Sequence, residues 1–416
     1  MDRIVKISKT IRNNWKKSVL GVVALYYGAA TIKEKYEINV LMRAACKEAV
    51  KYGDSVIPME RNPTLVTVIL NPVANKRKAK RDFEKYCEPL LHLAGLQVDV
   101  IQTTSEGSAK EIVETLRGTE AIIIAGGDGT FSESITGLLR RNDDANQFPL
   151  GVLPLGRTNN LGNSLFQGGK GVDKVKQLIE ACMAIIEGNT QWKDAMKIEP
   201  MVQDEETPSR PIYAMTSIEW GAFRDTLAKK DKYWFYGPLR EYASYIFNGY
   251  KESLNWNCSG ELKYTPPCSG CSNCMKKRPE VKRKWSFFMP NTQTAQVNNS
   301  IVNPECSTSQ EICFKTSDFR IRLGKFGETE IPSLSIVLGR SKYSYTDFVS
   351  EGWRRSKGNS EEVQTIHART VELLPKESNT QALMDIDREE FEVKPVKITV
   401  LPSIVKLFCK PNKMLA

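Results

Sequence analysis

Histidine is almost missing: the 416-residue chain has two, His92 and His367, in unrelated contexts. That argues against catalysis or metal binding built on imidazole and assigns both to structural positions. No glycine-rich loop ends in Gly-Lys-Ser/Thr, which excludes a Walker A site, and no stretch has the glycine spacing of a dinucleotide fingerprint. No helix-turn-helix or basic-zipper pattern supports a nucleic-acid partner. The ten cysteines are too few and too irregular for a small disulfide scaffold in a chain of this length. The uncharged run Ser18–Ile32 falls short of the roughly 20 residues of a spanning helix.

What is present starts with size and charge. A chain of this length, 41% hydrophobic, can bury a sizeable core and favours two domains plus appendages. Its 59 Lys and Arg against 49 Asp and Glu give a net charge of +10, which suits a phosphorylated ligand or an anionic membrane surface.

The most informative stretch is Ala121-Ile-Ile-Ile-Ala-Gly126-Gly127-Asp128-Gly129-Thr130, followed by a helical pattern from Phe131 to Arg140. A buried strand runs into a glycine loop and then a helix. Gly126, Gly127 and Gly129 permit positive φ and close approach of backbone N–H groups to a phosphate. The helix would aim its free amides and dipole at the same anion, with Thr130 as its cap. Asp128 is placed to hold Mg²⁺ or to accept a hydroxyl proton.

The surrounding alternation predicts a mostly parallel sheet: strand Leu65–Leu70 stopped by Asn71-Pro72, helix Lys78–Leu93, strand Leu96–Ile101, and a helix from Ser105 to about Gly118. A further strand, Leu150–Leu155, ends in Gly156-Arg157-Thr158-Asn159-Asn160, whose hydroxyl and amide groups suit phosphate and ribose, with Arg157 as a charge partner. Asn71 and both loops would face one crevice at the carboxyl ends of the strands.

From Trp192 the alternation gives way to candidate strands Ile212–Trp220, Val281–Met289, Ser333–Leu338, Val371–Leu374 and Phe391–Leu401, an antiparallel sandwich pattern, with Gln203–Arg210, Gln293–Gln310 and Glu351–Gln364 as loops. Eight aromatics between Tyr233 and Tyr250 suit either an acyl path at a membrane interface or core packing. The basic cluster of Lys276, Lys277, Arg278, Lys282, Arg283 and Lys284 suits anionic headgroups or a solvated surface. Cys258, Cys268, Cys271 and Cys274 have thiolate spacing for a four-sulfur zinc site and are equally open to disulfides.

At the N-terminus, Arg3, Lys6, Lys9, Arg12, Lys16 and Lys17 face a single acid, Asp2, and Ile4, Ile7, Ile11 and Trp15 recur at helical spacing. Together with Ser18–Ile32 this reads as a retained membrane anchor in preference to a removed targeting segment.

The glycine–aspartate loop with the downstream Gly-x-Thr-Asn loop resembles the diacylglycerol kinase and sphingosine kinase catalytic superfamily, over about residues 60–405. With its apolar N-terminus and Cys-rich insertion, the chain is similar to the mitochondrial multi-substrate lipid kinases of that family. The resemblance implies an α/β plus β fold: an N-terminal membrane-anchoring helix (1–60), an α/β nucleotide-binding domain (61–192) and an antiparallel β-sandwich domain (193–416) with an insertion near 255–315. It implies ATP contacts from Asn71, Gly126, Gly127, Gly129, Thr130 and Thr158, beside Gly156, Arg157 and Asn159 from the second loop. It implies Mg²⁺ at Asp128, with Asp194 as a further acid. Met384-Asp385-Ile386-Asp387-Arg388-Glu389 is similar to the family's late Asp-Gly-Glu element, making Glu389 a candidate base and Asp387 a supporting acid. Three departures stand out: Val73-Ala74-Asn75-Lys76 replaces a glycine-rich first phosphate loop, Asn160 stands where aspartate is common, and Arg388 replaces a glycine.

The implied activity is transfer of the ATP γ-phosphate to monoacylglycerol and diacylglycerol, with sphingosine or ceramide as further lipid substrates. The implied setting is the mitochondrial inner membrane facing the intermembrane space, with a second role beside the carrier-translocase complex. Two alternatives stand beside this: a non-catalytic membrane-anchored subunit, and a polar-substrate kinase of NAD kinase type.

Overall fold

β3 (Ala121–Gly126) is buried along its whole length, the state that a β-branched run without polar alternation requires. It lies between β1 (Leu65–Leu70) and β4 (Leu150–Pro154), and β2 (Gln97–Gln102) completes a parallel order β2-β1-β3-β4. The computed structural model describes residues 15–54, 64–141, 148–201, 210–251, 254–268, 271, 306, 308–327, 330–376 and 382–410.

The two faces of β3 bury different partners, as a period of two dictates. Ile123 and Ala125 pack under α1 (Trp15–Gly53), α2 (Ala79–Tyr86) and α3 (Glu88–Leu93), sharing a core with Ala45, Phe83 and Leu90. Ile122 and Ile124 pack with Val113 of α4 (Ser108–Thr115) and with Phe131 and Ile135 of α5 (Asp128–Leu139). Two further helices, α6 (Asn160–Leu165) and α7 (Val172–Ile186), follow β4, and Leu178 and Ala181 of α7 join the first of these cores.

The sheet does not stop at these four parallel strands. Strand β5 (Thr190–Pro200) pairs with β6 (Ile212–Ala214) and with the long last strand β16 (Val396–Phe408), which also meets β4 in parallel at Leu407. β16 then pairs with β13 (Thr370–Pro375), which leads to β8 (Cys258–Thr265) and β9 (Gln310–Thr316). A second, six-stranded antiparallel sheet follows the order β12 (Gln364–Ala368), β11 (Ile331–Leu338), β10 (Asp318–Phe326), β7 (Ser217–Gly221), β14 (Leu383–Ile386) and β15 (Glu389–Glu392). Met196, Leu262 and Ile398 of one sheet share a core with Trp220, Ile321 and Leu334 of the other.

Several expected elements are divided. Helix Lys78–Leu93 breaks at Cys87, where Pro89 opens α3. Ile212–Trp220 is two strands, because Met215 and Thr216 turn toward Asp387. Phe391–Leu401 is parted between β15 and β16, with Pro395 unable to continue a ladder. The expected loop Glu351–Gln364 begins inside the helix Tyr345–Ser356, which Ser344 caps by accepting from the Asp347 N–H at 3.2 Å. Val281–Met289, the basic cluster from Lys276 to Lys284 and most of the basic N-terminal segment lie outside the described residues.

The Ser18–Ile32 run lies within the single 39-residue helix α1. Ala45 and Ala49 are buried near its end, whereas Leu20, Leu25, Tyr26, Tyr27 and Ile32 are exposed. Among the described residues no helix is long and apolar enough to cross a membrane, so no apolar span supports the expected membrane anchor.

One buried ion pair ties the helix Tyr345–Ser356 to the second sheet. Arg355 donates to both Asp318 oxygens, at 2.8 and 2.6 Å, and to Glu351 Oε1 at 3.1 Å, with its guanidinium 3.7 Å from the centre of the Phe223 ring. Burial pushes the Asp318 carboxyl up, but Arg355 and Arg320 outweigh it and hold it below its usual range. Arg355→Leu strips this buried carboxylate of its two-point partner. A loss of about 3 kcal/mol is expected, read as a lower urea midpoint at unchanged slope; an unchanged midpoint would show that Arg320 suffices.

Candidate active site

The two glycine loops touch through their backbones. A methyl placed on Gly156 would come within 2.3 Å of the Gly127 Cα, and one on Gly127 within 3.1 Å of the Thr158 carbonyl oxygen. Leu155 and Gly156 both donate N–H groups to the Gly126 carbonyl, at 3.0 and 2.9 Å, and the Asp128 N–H donates to Thr158 O at 3.1 Å. None of Gly126, Gly127 and Gly129 has positive φ, so the expectation of left-handed glycines is corrected: the loop needs them for close approach.

Thr130 does not cap the helix, since α5 begins at Asp128 with Gly127 as its N-cap. Its hydroxyl instead accepts from Asn71 Nδ2 at 3.0 Å, joining the end of β1 to the loop. The first intrahelical bond runs from Phe131 N to Gly127 O, which leaves the Gly129 and Thr130 amides ahead of any acceptor within α5. Free amides at a helix start are suited to bind an anion.

Asn71 also accepts the Val73 N–H through Oδ1 at 3.2 Å and so starts the turn that follows. There Asn75, Lys76 and Arg77 have φ of 51°, 57° and 63°. Three side-chain-bearing residues thus adopt the left-handed backbone that a glycine-rich loop takes without strain.

Asp128 is buried in the floor of the cleft, 7% exposed, with Oδ1 accepting weakly from Leu161 N at 3.4 Å. Its Oδ2 is buried and has no hydrogen-bond partner among the described residues. Burial raises its carboxyl, opposed by the Asn160 and Leu161 amides and by Arg388. A buried carboxylate oxygen left unmatched is costly, and a cation or a hydroxyl would satisfy it.

Glu389 reaches the same place from the other end of the sequence. Its Oε1 lies 3.3 Å from where a methyl on Gly129 would stand. Burial, then Glu133, Glu106 and Asp387, push its carboxyl up to about 8, with Lys110 opposing. Asp387 is occupied elsewhere: its oxygens accept from Met215 N at 2.7 Å, Thr216 N at 2.9 Å, Thr216 Oγ1 at 2.5 Å and Ser217 N at 3.0 Å. It is a positioning residue for the β14–β15 turn, where φ is 49° at Asp387 and 75° at Arg388, the geometry that favours glycine at the second position.

The remaining expected residues divide. Asn159 closes its own turn by exchanging bonds with the Gly156 N–H and carbonyl, both at 3.0 Å. Arg157 pairs with Asp231, which burial raises but which Arg157, Arg240 and Lys230 hold below its usual range. Asp194 accepts the Ser403 N–H at 2.7 Å where the β5–β16 register shifts. Cys258 is a core thiol that donates to Asn255 O, and it stands outside the grouping formed by Cys268 and Cys271 with Cys306; Cys274 lies outside the described residues.

Two contributors carry no motif. Arg224, buried on α8 (Ala222–Ala228), bonds Asp385 at 2.5 Å and Glu390 at 2.6 Å and so grips the hairpin bearing Glu389. Glu133 accepts from Gly107 N at 2.9 Å and Ala109 N at 3.2 Å, capping α4 from α5. Their partners are distant in sequence, so only a three-dimensional arrangement reveals them.

Gly156→Ala is expected to push the two loops apart, costing about 1–3 kcal/mol by overpacking, with a rise in the Kd for ATP. Calorimetric titration beside a denaturant curve checks it; unchanged values in both would mean the loops do not depend on contact.

A model of the diacylglycerol kinase catalytic domain matches residues 65–198, and one of the acylglycerol kinase C-terminal region matches 215–415. The human protein named acylglycerol kinase, mitochondrial, is 33% identical over 419 residues, covering 97% of this chain and 96% of that protein. The Xenopus laevis protein of that name is 34% identical over 431 residues, covering 99% and 97%. Rat sphingosine kinase 1 is 30% identical over 186 residues, 43% of this chain and 46% of its own. A crystal structure of a diacylglycerol kinase from Bacillus anthracis aligns with TM-score 0.50 over 85% of this chain and 99% of that one, at 14% identity, a likeness of fold alone. With a catalytic domain and a C-terminal region that both match across nearly its whole length, the chain belongs to the acylglycerol kinase family and is an ATP-dependent lipid kinase.

Proposed function

We propose that this lipid kinase transfers the ATP γ-phosphoryl group to the hydroxyl of monoacylglycerol and diacylglycerol, giving lysophosphatidic and phosphatidic acid, with Glu389 as general base. The carrying observation is that the half-buried Glu389 carboxyl lies against Gly129 at the amide-bearing start of α5, the helix that begins at the buried Asp128. In this reading Gly129 and Thr130 donate N–H groups to phosphate oxygens, and the contact between Gly127 and Gly156 keeps the cradle narrow. The unmatched Oδ2 of Asp128 fits Mg²⁺, which when bound would neutralise charge on the transferring phosphates. Asp194, engaged with Ser403, stands aside from that role. Glu389, poised near 8, is basic enough to take a hydroxyl proton and still ionises near neutral pH. Positioning and neutralisation supply most of the catalysis, since the transition state is loose.

A lipid acceptor has to come from a surface, and an aromatic patch supports one. Of the eight aromatics noted in the sequence, Tyr233 and Tyr245 are buried, while Trp234 and Phe235 are exposed on the 3₁₀ segment Lys230–Leu239. The Arg157–Asp231 pair ties that segment to the second glycine loop. We read it as the membrane-facing rim of the cleft, where amphipathic rings settle at headgroup level. The exposed apolar face of α1 suits a membrane surface or a membrane-protein partner. The name of the relatives, acylglycerol kinase, mitochondrial, supports a mitochondrial location; within our reading the protein works at the inner membrane, facing the intermembrane space, with carrier-translocase subunits as partners.

The pH dependence of kcat/KM tests the base. A base must be deprotonated to act, so kcat/KM is expected to rise with pH and level off above about 8. Glu389→Gln should lose about 10²–10⁴-fold in rate together with that inflection. An inflection that survives in the variant would remove Glu389 from proton transfer.

A further inference from the structure

Cys268, Cys271 and Cys306 bring their three sulfurs within 4.8 Å of one another. Cys271 and Cys306 are buried and Cys268 half-buried. The first two follow the end of β8 and the third precedes β9, so the group sits where a long connection leaves the sheet and where it returns. Arg369, in the turn between β12 and β13, donates to Cys306 Sγ at 3.4 Å and to the Cys306 carbonyl at 3.1 Å, while its own N–H donates to Thr265 O at 2.8 Å.

We propose that Cys268, Cys271 and Cys306 bind one zinc ion through their thiolates and that this ion closes the neck of the connection between β8 and β9. Tetrahedral zinc with Zn–S bonds of about 2.3 Å sets its sulfurs roughly 3.8 Å apart. Small rotamer shifts within a 4.8 Å grouping reach that spacing. Buried cysteine as a plain small hydrophobe accounts for apolar surroundings. It does not account for a guanidinium aimed at the sulfur, which favours the thiolate and matches the outer hydrogen bonding of metal-bound sulfur. Each thiol gives its proton to solvent as it ligates, so the ion replaces one proton on each of the three sulfurs. The sequence carries a further thiol at Cys274, outside the described residues; the proposal rests on the three-sulfur set, with Cys306 in place of the Cys258 expected from spacing. The energetic logic is loop closure: a clip at the two ends removes freedom that a long connection otherwise keeps in the unfolded chain.

The test uses the full chain, purified under reducing conditions without chelator, equilibrated with zinc chloride and desalted. Elemental analysis is expected to find about one zinc per chain in wild type and in Cys258→Ser, and at least about tenfold less in Cys306→Ser. Cobalt chloride should give wild type a near-ultraviolet sulfur-to-cobalt charge-transfer band. Should Cys306→Ser fail to fold, Arg369→Met decides, because it keeps every thiol: zinc affinity, measured by competition with a chromophoric chelator, should fall about 10–100-fold. Wild type without retained zinc and without a cobalt band would overturn the proposal. So would zinc content in folded Cys306→Ser equal to wild type, undiminished affinity in Arg369→Met, or a disulfide among the three cysteines found by mass spectrometry.

Discussion

Backbone contact between Gly127 and Gly156 is the constraint on which the rest of the cleft depends. With a methyl group 2.3 Å from a neighbouring Cα, no side chain fits at Gly156 without moving one loop. The parallel pairing of β3 with β4 brings the loops side by side, and the Gly126 carbonyl, accepting from both Leu155 and Gly156, fixes them. Once fixed, the start of α5 keeps the Gly129 and Thr130 amides ahead of any acceptor within the helix, and Asp128 is carried into the floor beside them, the arrangement on which the proposed phosphate site rests.

The second half of the chain completes the site by reaching back. Strand β16 crosses from the C-terminal core to pair with β5 and touch β4, and the β14–β15 hairpin sets Glu389 against Gly129. That hairpin is held three ways: by Asp387 on the Met215–Ser217 backbone, by Arg224 on Asp385 and Glu390, and by its pairing with β7. Each hold comes from the C-terminal unit, and the hairpin meets the catalytic domain at the glycine loop.

Legibility followed sequence distance. β3 and its loop were readable because an apolar run, three glycines and an acid are local signals, and the helix after them is local too. The role of the glycines was only half readable: spacing signals a tight loop, but whether φ or close approach demands glycine depends on Gly156, which comes from another strand. Thr130 looked like a cap because capping is a local rule; Asn71 claims its hydroxyl from the end of β1. Arg157 was readable as a charged loop residue, but its pairing with Asp231, 74 positions along the chain, was not. Arg388 departs from glycine, yet its φ of 75° keeps the backbone that glycine would take, so the turn survives the departure. Arg224 and Cys306 were invisible because their partners lie far along the chain.

The central claim is that Asp128 and the glycine cradle perform phosphoryl transfer to a lipid hydroxyl. Its most direct test is transfer of labelled γ-phosphate from Mg·ATP to monoacylglycerol, diacylglycerol and sphingosine in mixed micelles, comparing wild type with Asp128→Asn. The account predicts transfer to the glycerolipids by wild type and its loss in a variant with unchanged thermal stability. Undiminished transfer by Asp128→Asn would contradict it, as would no transfer to any lipid by folded wild type that binds ATP.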